Sequence, residues 1–165
     1  MTTRSPSQIA MRRIQSELSD WLLDERRPEG CHLESFEPLL SWIVVIDGPD
    51  VAPGMPNLYA GERFRLRVNF SDRYPLDPPE VFFIPPSPVH PHIYSNGHIC
   101  LDILYDGDNG GWSPALTLGK VAISLRSMLA SNSERKRPPG DQEYCARTCG
   151  RSPKQTRWEF EDDTV

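Results

Sequence analysis

Between His90 and Leu104 the chain reads HPHIYSNGHICLDIL, and three histidines and a cysteine fall within the eleven residues from His90 to Cys100. Imidazole and thiolate groups serve as metal ligands, nucleophiles and proton carriers, so several chemistries compete for the segment. A metal site has four donors available in His90, His92, His98 and Cys100, but their spacing, H-x-H-x5-H-x-C, differs from the C-x2–4-C and H-x3–5-H pairs of structural zinc sites. A cysteine protease needs a histidine base oriented by Asn or Asp, and neither a local signature nor a well-separated His and Asn pair stands out. The plainest alternative is a buried thiol. Cys100 lies between Ile99 and Leu101, and a cysteine in an apolar run mostly acts as a small hydrophobe. Composition alone favours this last alternative.

The elements that must position these residues lie on either side. Ser7 opens SQIAMRRIQSELSDWLL, where Ile14, Leu18 and Leu22 recur every four residues while Arg12, Arg13 and Glu17 fall on other faces. That spacing predicts an amphipathic helix ending near Arg27-Pro28. Four short stretches follow, CHLESFEPL, SWIVVIDG, RFRLRVNF and EVFFIPP, rich in β-branched or aromatic residues and bounded by Gly, Pro or Asp. In RFRLRVNF, Phe64, Leu66, Val68 and Phe70 alternate with Arg63, Arg65 and Arg67, the period of a strand with one wet face. Strands in direct succession predict an antiparallel meander. The helix to cover its apolar face is LTLGKVAISLRSMLAS, with Thr117 as N-cap and Val121, Leu125, Met128 and Leu129 at helical spacing. These apolar residues are core, not a cofactor box. The histidine–cysteine segment runs between sheet and helix with little regular pattern, and such long loops are usually functional or disordered.

A chain of 165 residues fits one domain, able to bury roughly 70% of its unfolded surface. Seven of the seventeen prolines fall between Pro75 and Pro91, which excludes helix there. Four cysteines (Cys31, Cys100, Cys145, Cys149) sit at irregular spacing. No charged leader with an apolar run opens the sequence, and nothing approaches membrane-spanning length. We therefore expect a soluble, reduced, intracellular protein with no membrane partner. The net charge of −5 argues against a nucleic-acid partner, and the runs ERKR (Glu134–Arg137) and EFEDD (Glu159–Asp163) read as solvated faces rather than sites. No internal repeat or flexible linker offers a start for a second domain.

Residue order adds what composition lacks. The segment resembles the active-site region of ubiquitin-conjugating enzymes, whose pattern is His-Pro-Asn followed by an acceptor cysteine in G-x-I-C-L-D-I-L. Here His90-Pro91-His92 is followed eight residues later by Cys100 in GHICLDIL. The first helix, the strand order, YPLDPPEV (Tyr74–Val81), WSPALT (Trp112–Thr117) and KVAISL also fall in family order, and the resemblance covers about Ser7 to Ala130. His-Pro-His in place of His-Pro-Asn, with an end reading KRPP…YCARTC…PKQTRW…DDT from Lys136 to Thr164, is similar to the W-type branch. The resemblance implies an α+β fold like that of ubiquitin-conjugating enzymes, a four-stranded antiparallel sheet flanked by helices. It also implies a catalytic domain over residues 1–150, a variable C-terminal tail over 151–165, and residence in the cytoplasm or nucleus.

Individual residues take on roles by the same resemblance. Cys100 would accept the carboxyl terminus of ubiquitin from an activating enzyme as a thioester and pass it to protein substrates, since a thiolate is both nucleophile and leaving group. ATP is consumed by the activating enzyme, so no cofactor and no metal is expected on this chain. His92 stands where the family has Asn, as a donor to the tetrahedral oxyanion or as a loop brace. An imidazole, with a reference pKa of about 6.5, would make discharge pH-sensitive where an amide would not. Asp102 matches the family's C-L-D and can orient an incoming amine. A second acid often follows the next helix, but SNSERKRPPGDQ is basic there, leaving Asp141 as a possible substitute. Arg12, Arg13, Leu76, Pro114 and Ala115 match the surface offered to the activating enzyme and to RING-type ligases, with Leu76 where many members have Phe. His90 and Pro91 read as loop architecture. YDGDNGG (Tyr105–Gly111) is longer than the usual family loop, and its glycines and aspartates predict a mobile acidic flap beside Cys100. Members of the W-type branch attach ubiquitin to protein α-amino groups, which is the acceptor expected here.

Overall fold

The computed structural model describes residues 7–160. Helix α1 (Gln8–Leu22) begins where Ser7 Oγ accepts the Ala10 N–H at 3.0 Å, a cap that contributes about 1 kcal/mol. Its buried face is Ala10, Ile14, Glu17 and Trp21. The expected stripe is therefore displaced: Leu22 is 54% exposed and Glu17 is buried. The helix also stops at Leu22 instead of near Arg27-Pro28, because Leu23 turns to extended backbone and its carbonyl accepts turn bonds from the Arg26 and Arg27 N–H groups. Glu17 tolerates burial because its carboxylate receives the Tyr74 hydroxyl, the Leu118 N–H at 2.7 Å and the Arg13 guanidinium at 3.0 Å. Without such partners a buried charge would cost several kcal/mol. Burial, reinforced by this carboxylate, pushes the Tyr74 hydroxyl well above its ordinary range.

Strands β1 (Cys31–Ser35), β2 (Ser41–Asp47), β3 (Arg63–Asn69) and β4 (Glu80–Phe83) form one antiparallel meander in the order β1-β2-β3-β4. The register sets Val44 opposite Leu66 and Leu66 opposite Phe83, and all three are fully buried. On β3 the alternation holds, with Phe64, Leu66 and Val68 inside while Arg63 and Arg65 stay in water. Helix α2 (Leu118–Ala130), capped by Thr117 Oγ on the Lys120 N–H at 3.2 Å, buries Leu118, Val121, Ala122, Leu125 and Leu129. This helix packs on the meander and on α1.

Apolar periodicity does not anticipate a third helix, α3 (Asp141–Arg147), which starts after the left-handed Gly140 (φ 70°). Its markers are start-and-stop signals: Pro138-Pro139-Gly140 before it, Asp141 and Glu143 in its first turn, Arg147 in its last. The chain then folds back on the domain. Residues 151–160, grouped with the tail in the sequence reading, are docked by Trp158, which is buried against Tyr94, Tyr105 and Tyr144. Most of the acidic end, residues 161–165, lies outside the described residues. Among the described residues no helix is long and apolar enough to cross a membrane.

Candidate active site

From the end of β4 to the start of α2 the chain forms only isolated bridges, His90 with Ile93 and Ile93 with Ile99, and one short 3-10 turn at Asp102–Leu104. Inside that stretch a compact turn carries the cysteine. The Gly97 N–H donates to Tyr94 O at 2.9 Å, the Tyr94 N–H to His98 O at 2.9 Å, and the Cys100 N–H to His92 O at 2.8 Å. Gly97 sits at φ 95°, and a Cβ there would fall 1.8 Å from Phe83 O, so only glycine fits. The Phe83 N–H returns a bond to Gly97 O at 2.9 Å, fastening the turn to the end of β4. Ile93 and Ile99 are fully buried, each contributing roughly 2 kcal/mol. Cys100, next in line, is left half-buried.

The histidines divide by environment. His90 is 3% exposed. Its Nδ1 accepts the His92 N–H at 2.9 Å while its Nε2–H donates to Met128 O at 3.1 Å, which fixes the neutral Nε2-protonated tautomer. Burial pushes its pKa down to about 4. His98 is also buried, with Nδ1 2.7 Å from the Tyr144 hydroxyl, and burial lowers its pKa. His92 is exposed, and among the described residues its imidazole makes no hydrogen bond; its nearest recorded ring is His90, at 5.6 Å. Nor do three His, Cys, Asp or Glu side chains gather as a metal ligand set among the described residues.

Residues far along the chain clamp this loop. Arg137 directs its guanidinium to Ser87 Oγ at 2.9 Å and to the carbonyls of Ser87, Pro88 and Ile93 at 3.0, 2.8 and 3.2 Å. Arg135 reaches Leu58 O at 2.6 Å and forks onto Glu62 at 3.0 and 2.7 Å. The ERKR run is thus a solvated face at Glu134, Arg135 and Lys136, as its composition suggests, but its two arginines also tie loops together, and Arg137 is half-buried. Asn132, also outside the sequence reading, donates to the Tyr59 hydroxyl at 2.7 Å, and that hydroxyl donates to Val89 O at 2.7 Å. Asp141 accepts the Ser95 N–H at 2.8 Å and the Ser95 hydroxyl, and Cys145 Sγ lies 3.5 Å from Oδ1. Burial raises the Asp141 pKa, but the bonds from Ser95 outweigh it and hold the carboxyl below its usual range. This acid is committed to the loop.

On the other side of Cys100, Asp102 is exposed, and its carbonyl accepts the Tyr105 N–H at 3.1 Å and the Gly111 N–H at 2.8 Å. The Trp112 N–H also bonds Tyr105 O at 3.0 Å. The glycine-rich loop is therefore pinched shut at its base, and the buried Tyr105 donates its hydroxyl to Ile99 O at 2.6 Å. Asp106 to Asn109 and Gly111 are exposed to solvent. The remaining thiols lie outside this turn. Cys31 is buried, and burial pushes its pKa up to about 11. Cys145 is also pushed up by burial, and Cys149 is exposed.

Comparison with known proteins places this geometry. The family model for ubiquitin-conjugating enzymes matches residues 13–160. The chain belongs to the ubiquitin-conjugating enzyme family. It is 46% identical over 154 residues to the probable ubiquitin-conjugating enzyme E2 W of Dictyostelium discoideum, covering 93% of this chain and 96% of that one. To the ubiquitin-conjugating enzyme E2 W of Caenorhabditis elegans it is 42% identical over 163 residues, covering 96% and 99%. The crystal structure of the ubiquitin-conjugating enzyme E2 UbcA1 from Agrocybe aegerita matches with a TM-score of 0.76 at 35% identity, over 90% of this chain and 100% of that one. The protein is thus a ubiquitin-conjugating enzyme of the W branch, a transferase that works through a cysteine thioester, and its partners as a family member are ubiquitin, an activating enzyme and ligases.

The residues expected on the partner surface separate into exposed side chains and supports. Leu76 is 64% exposed, and Arg12, Pro114 and Ala115 are exposed as well. Trp112 joins the two loops by donating Nε1–H to Pro75 O at 2.9 Å. Arg13 is half-buried, bonded to Glu17 and, at 2.8 Å, to Leu116 O, so it anchors α1 to the Pro114–Ala115 loop.

His90 gives the site an acid sensitivity. In the unfolded chain an imidazole titrates near 6.5, whereas folded His90 does so near 4. Its contribution to stability is complete above about pH 6.5 and is lost as the pH falls towards 4, by at most about 3 kcal/mol. Urea unfolding at pH 7 and at pH 4.5 should show that loss, shared with His98. A His90→Gln variant should be less stable at pH 7 and lose less on acidification; an unchanged loss would place the sensitivity elsewhere.

Proposed function

We propose that Cys100 carries ubiquitin, that His92 assists its discharge, and that the preferred acceptor is a protein α-amino group. The observation that carries this reading is the 2.8 Å bond from the Cys100 N–H to His92 O, which holds a half-buried thiol and an exposed imidazole on opposite limbs of one turn. None of the other three cysteines has a histidine so placed. In charging, the Cys100 thiolate attacks the acyl carbon of ubiquitin on the activating enzyme, and that enzyme's thiolate leaves. In discharge, an unprotonated amine attacks the Cys100 thioester, the oxyanion collapses, the Cys100 thiolate departs, and the amine's extra proton passes to solvent. In this reading His92 donates to the oxyanion and Asp102 orients the amine. Leu76, Arg12, Pro114 and Ala115 are the proposed contacts for the activating enzyme and RING-type ligases.

The commitment of Asp141 to Ser95 supports the choice of amine. With that acid engaged, the site has one carboxylate fewer to draw a proton from a lysine ammonium. With reference pKa values of about 7.8 and 10.4, roughly a third of an α-amine but only about 0.1% of a lysine is unprotonated near pH 7.5. A site that relies on amine already free therefore favours chain termini.

Charging with activating enzyme, ATP and ubiquitin should give a reductant-sensitive adduct that Cys100→Ala abolishes and Cys100→Ser converts to a reductant-resistant ester. From the preformed thioester, short peptides with a free amino terminus and no lysine should be modified faster than acetylated peptides containing lysine. Equal or faster transfer to lysine would refute the preference while leaving the carrier role intact. His92→Ala should slow discharge about a hundredfold without slowing charging, as loss of an oxyanion donor does, and His92→Asn should restore most of the rate. Unchanged discharge in the alanine variant would reduce His92 to loop architecture.

A further inference from the structure

Three arginines, Arg147, Arg151 and Arg157, line one groove of about 250 Å³ together with Ser152, Gln155 and Thr156, and no carboxylate lines it. All three are exposed, and among the described residues none is in an ion pair. Most other described arginines are engaged. Arg13, Arg26, Arg27, Arg63, Arg65, Arg73 and Arg135 each face a carboxylate, Arg67 donates to Ser41 Oγ at 3.1 Å, and the guanidinium groups of Arg126 and Arg137 are spent on backbone carbonyls. Arg12, on α1, is also exposed and outside any ion pair among the described residues.

Arg147 has a local explanation, since it closes the last turn of α3 and lies 5.7 Å from the Tyr144 ring centroid. Arg151 closes no helix, Arg157 follows only the one-turn 3-10 helix Pro153–Gln155, and among the described residues neither lies over a ring. Arg157 also borders the neighbouring groove that holds Asp106 and Asp108, yet pairs with neither. Three like charges on one concave surface repel one another and concentrate a positive potential, in a chain whose net charge is −5.

We infer that this groove binds acidic side chains of the acceptor polypeptide, a few residues downstream of the reacting amine. This rests on the reading of Cys100 as the carrier, because it takes its meaning from where the groove lies. The Arg147 guanidinium lies 5.7 Å from the Tyr144 ring centroid, Tyr144 is stacked on Tyr94 at 3.8 Å, and Tyr94 belongs to the turn that carries Cys100, its N–H bonded to His98 O at 2.9 Å. At about 3.4 Å per extended residue, a chain whose terminus reaches that turn needs only a few residues to reach the arginines. Guanidinium groups recognise carboxylates in bidentate fashion. A nucleic acid is disfavoured by the overall negative charge and by the burial of Tyr144 and Trp158, which leaves no open ring on which a base could stack.

The test has a binding arm that does not depend on the cysteine chemistry. Labelled acetylated peptides, one with a run of Asp and Glu and one neutral, are titrated with uncharged full-length protein and followed by fluorescence anisotropy. The acidic peptide should bind about tenfold more tightly at low salt, as several exposed pairs acting together allow. The difference should shrink above about 0.15 M salt, where the Debye length is near 8 Å. The Arg151→Glu/Arg157→Glu double variant, altered only at exposed positions, should lose it. In discharge from preformed thioester, the same variant should raise KM for a free-amine acidic peptide about tenfold and leave kcat for the neutral peptide unchanged. Equal binding of the two peptides, a preference that survives charge reversal, or tighter binding of a single-stranded oligonucleotide than of the acidic peptide would each overturn the inference. Failure of the reading beneath it would show separately, as loss of charging at Cys100 with acidic-peptide binding intact.

Discussion

The loop around Cys100 has no sheet to satisfy its backbone, and the Arg137 guanidinium supplies what a neighbouring strand would. One side chain accounts for three carbonyls, those of Ser87, Pro88 and Ile93, and for the Ser87 hydroxyl. A reactive thiol must reach solvent, so the segment that holds it cannot be buried in a ladder, yet unpaired polar groups next to buried Ile93 and Ile99 would cost about 1–3 kcal/mol each. Side chains from beyond α2 resolve that conflict. Arg137 fixes one limb of the turn, Asp141 fixes Ser95 at its tip, and His90 closes the base between Met128 O and the His92 N–H.

Behind this clamp stands an aromatic stack. Tyr94 lies 3.8 Å from Tyr144, and Trp158 contacts Tyr94, Tyr144 and Tyr105 with centroids 6.1, 5.8 and 5.2 Å apart. Tyr105 carries the support back to the thiol by bonding Ile99 O. The segment after α3 thus braces the cysteine turn through Trp158. Its docking also assembles the arginine groove, since Arg151 and Arg157 arrive on the same stretch of chain as Trp158. Glu17 does comparable work elsewhere, joining α1, the Tyr74 loop and the start of α2.

Much of the fold was legible because its signals are local. The alternation of Phe64, Leu66 and Val68 with Arg63, Arg65 and Arg67 needs only neighbouring residues to declare a strand, and Thr117 and Ser7 announce their helices within one turn. Burial of Glu17 was not legible, since its partners Tyr74 and Leu118 lie 57 and 101 positions away. The end of α1 was missed because turn bonds to Leu23 O stop the helix before the charged residues that look like its continuation. At the site, residue order singled out Cys100 and His92, while the chemistry of their supports stayed hidden. Arg137 sits in a basic run and Asp141 in a polar one, and nothing local distinguishes a clamp from a solvated face until the loop they grip is in place.

Amide hydrogen exchange reads that grip directly. In the native protein the Ile93, Tyr94, Gly97 and Cys100 amides, all bonded within the loop, should be protected. Arg137→Lys keeps the charge but loses the fork. In that variant these four amides should exchange about tenfold faster or more, the effect of losing one or two charge-assisted bonds, while Val44 and Leu66 in the sheet keep their native rates. Unchanged exchange in the loop, or equal acceleration in loop and sheet, would contradict a cysteine loop held in shape by Arg137.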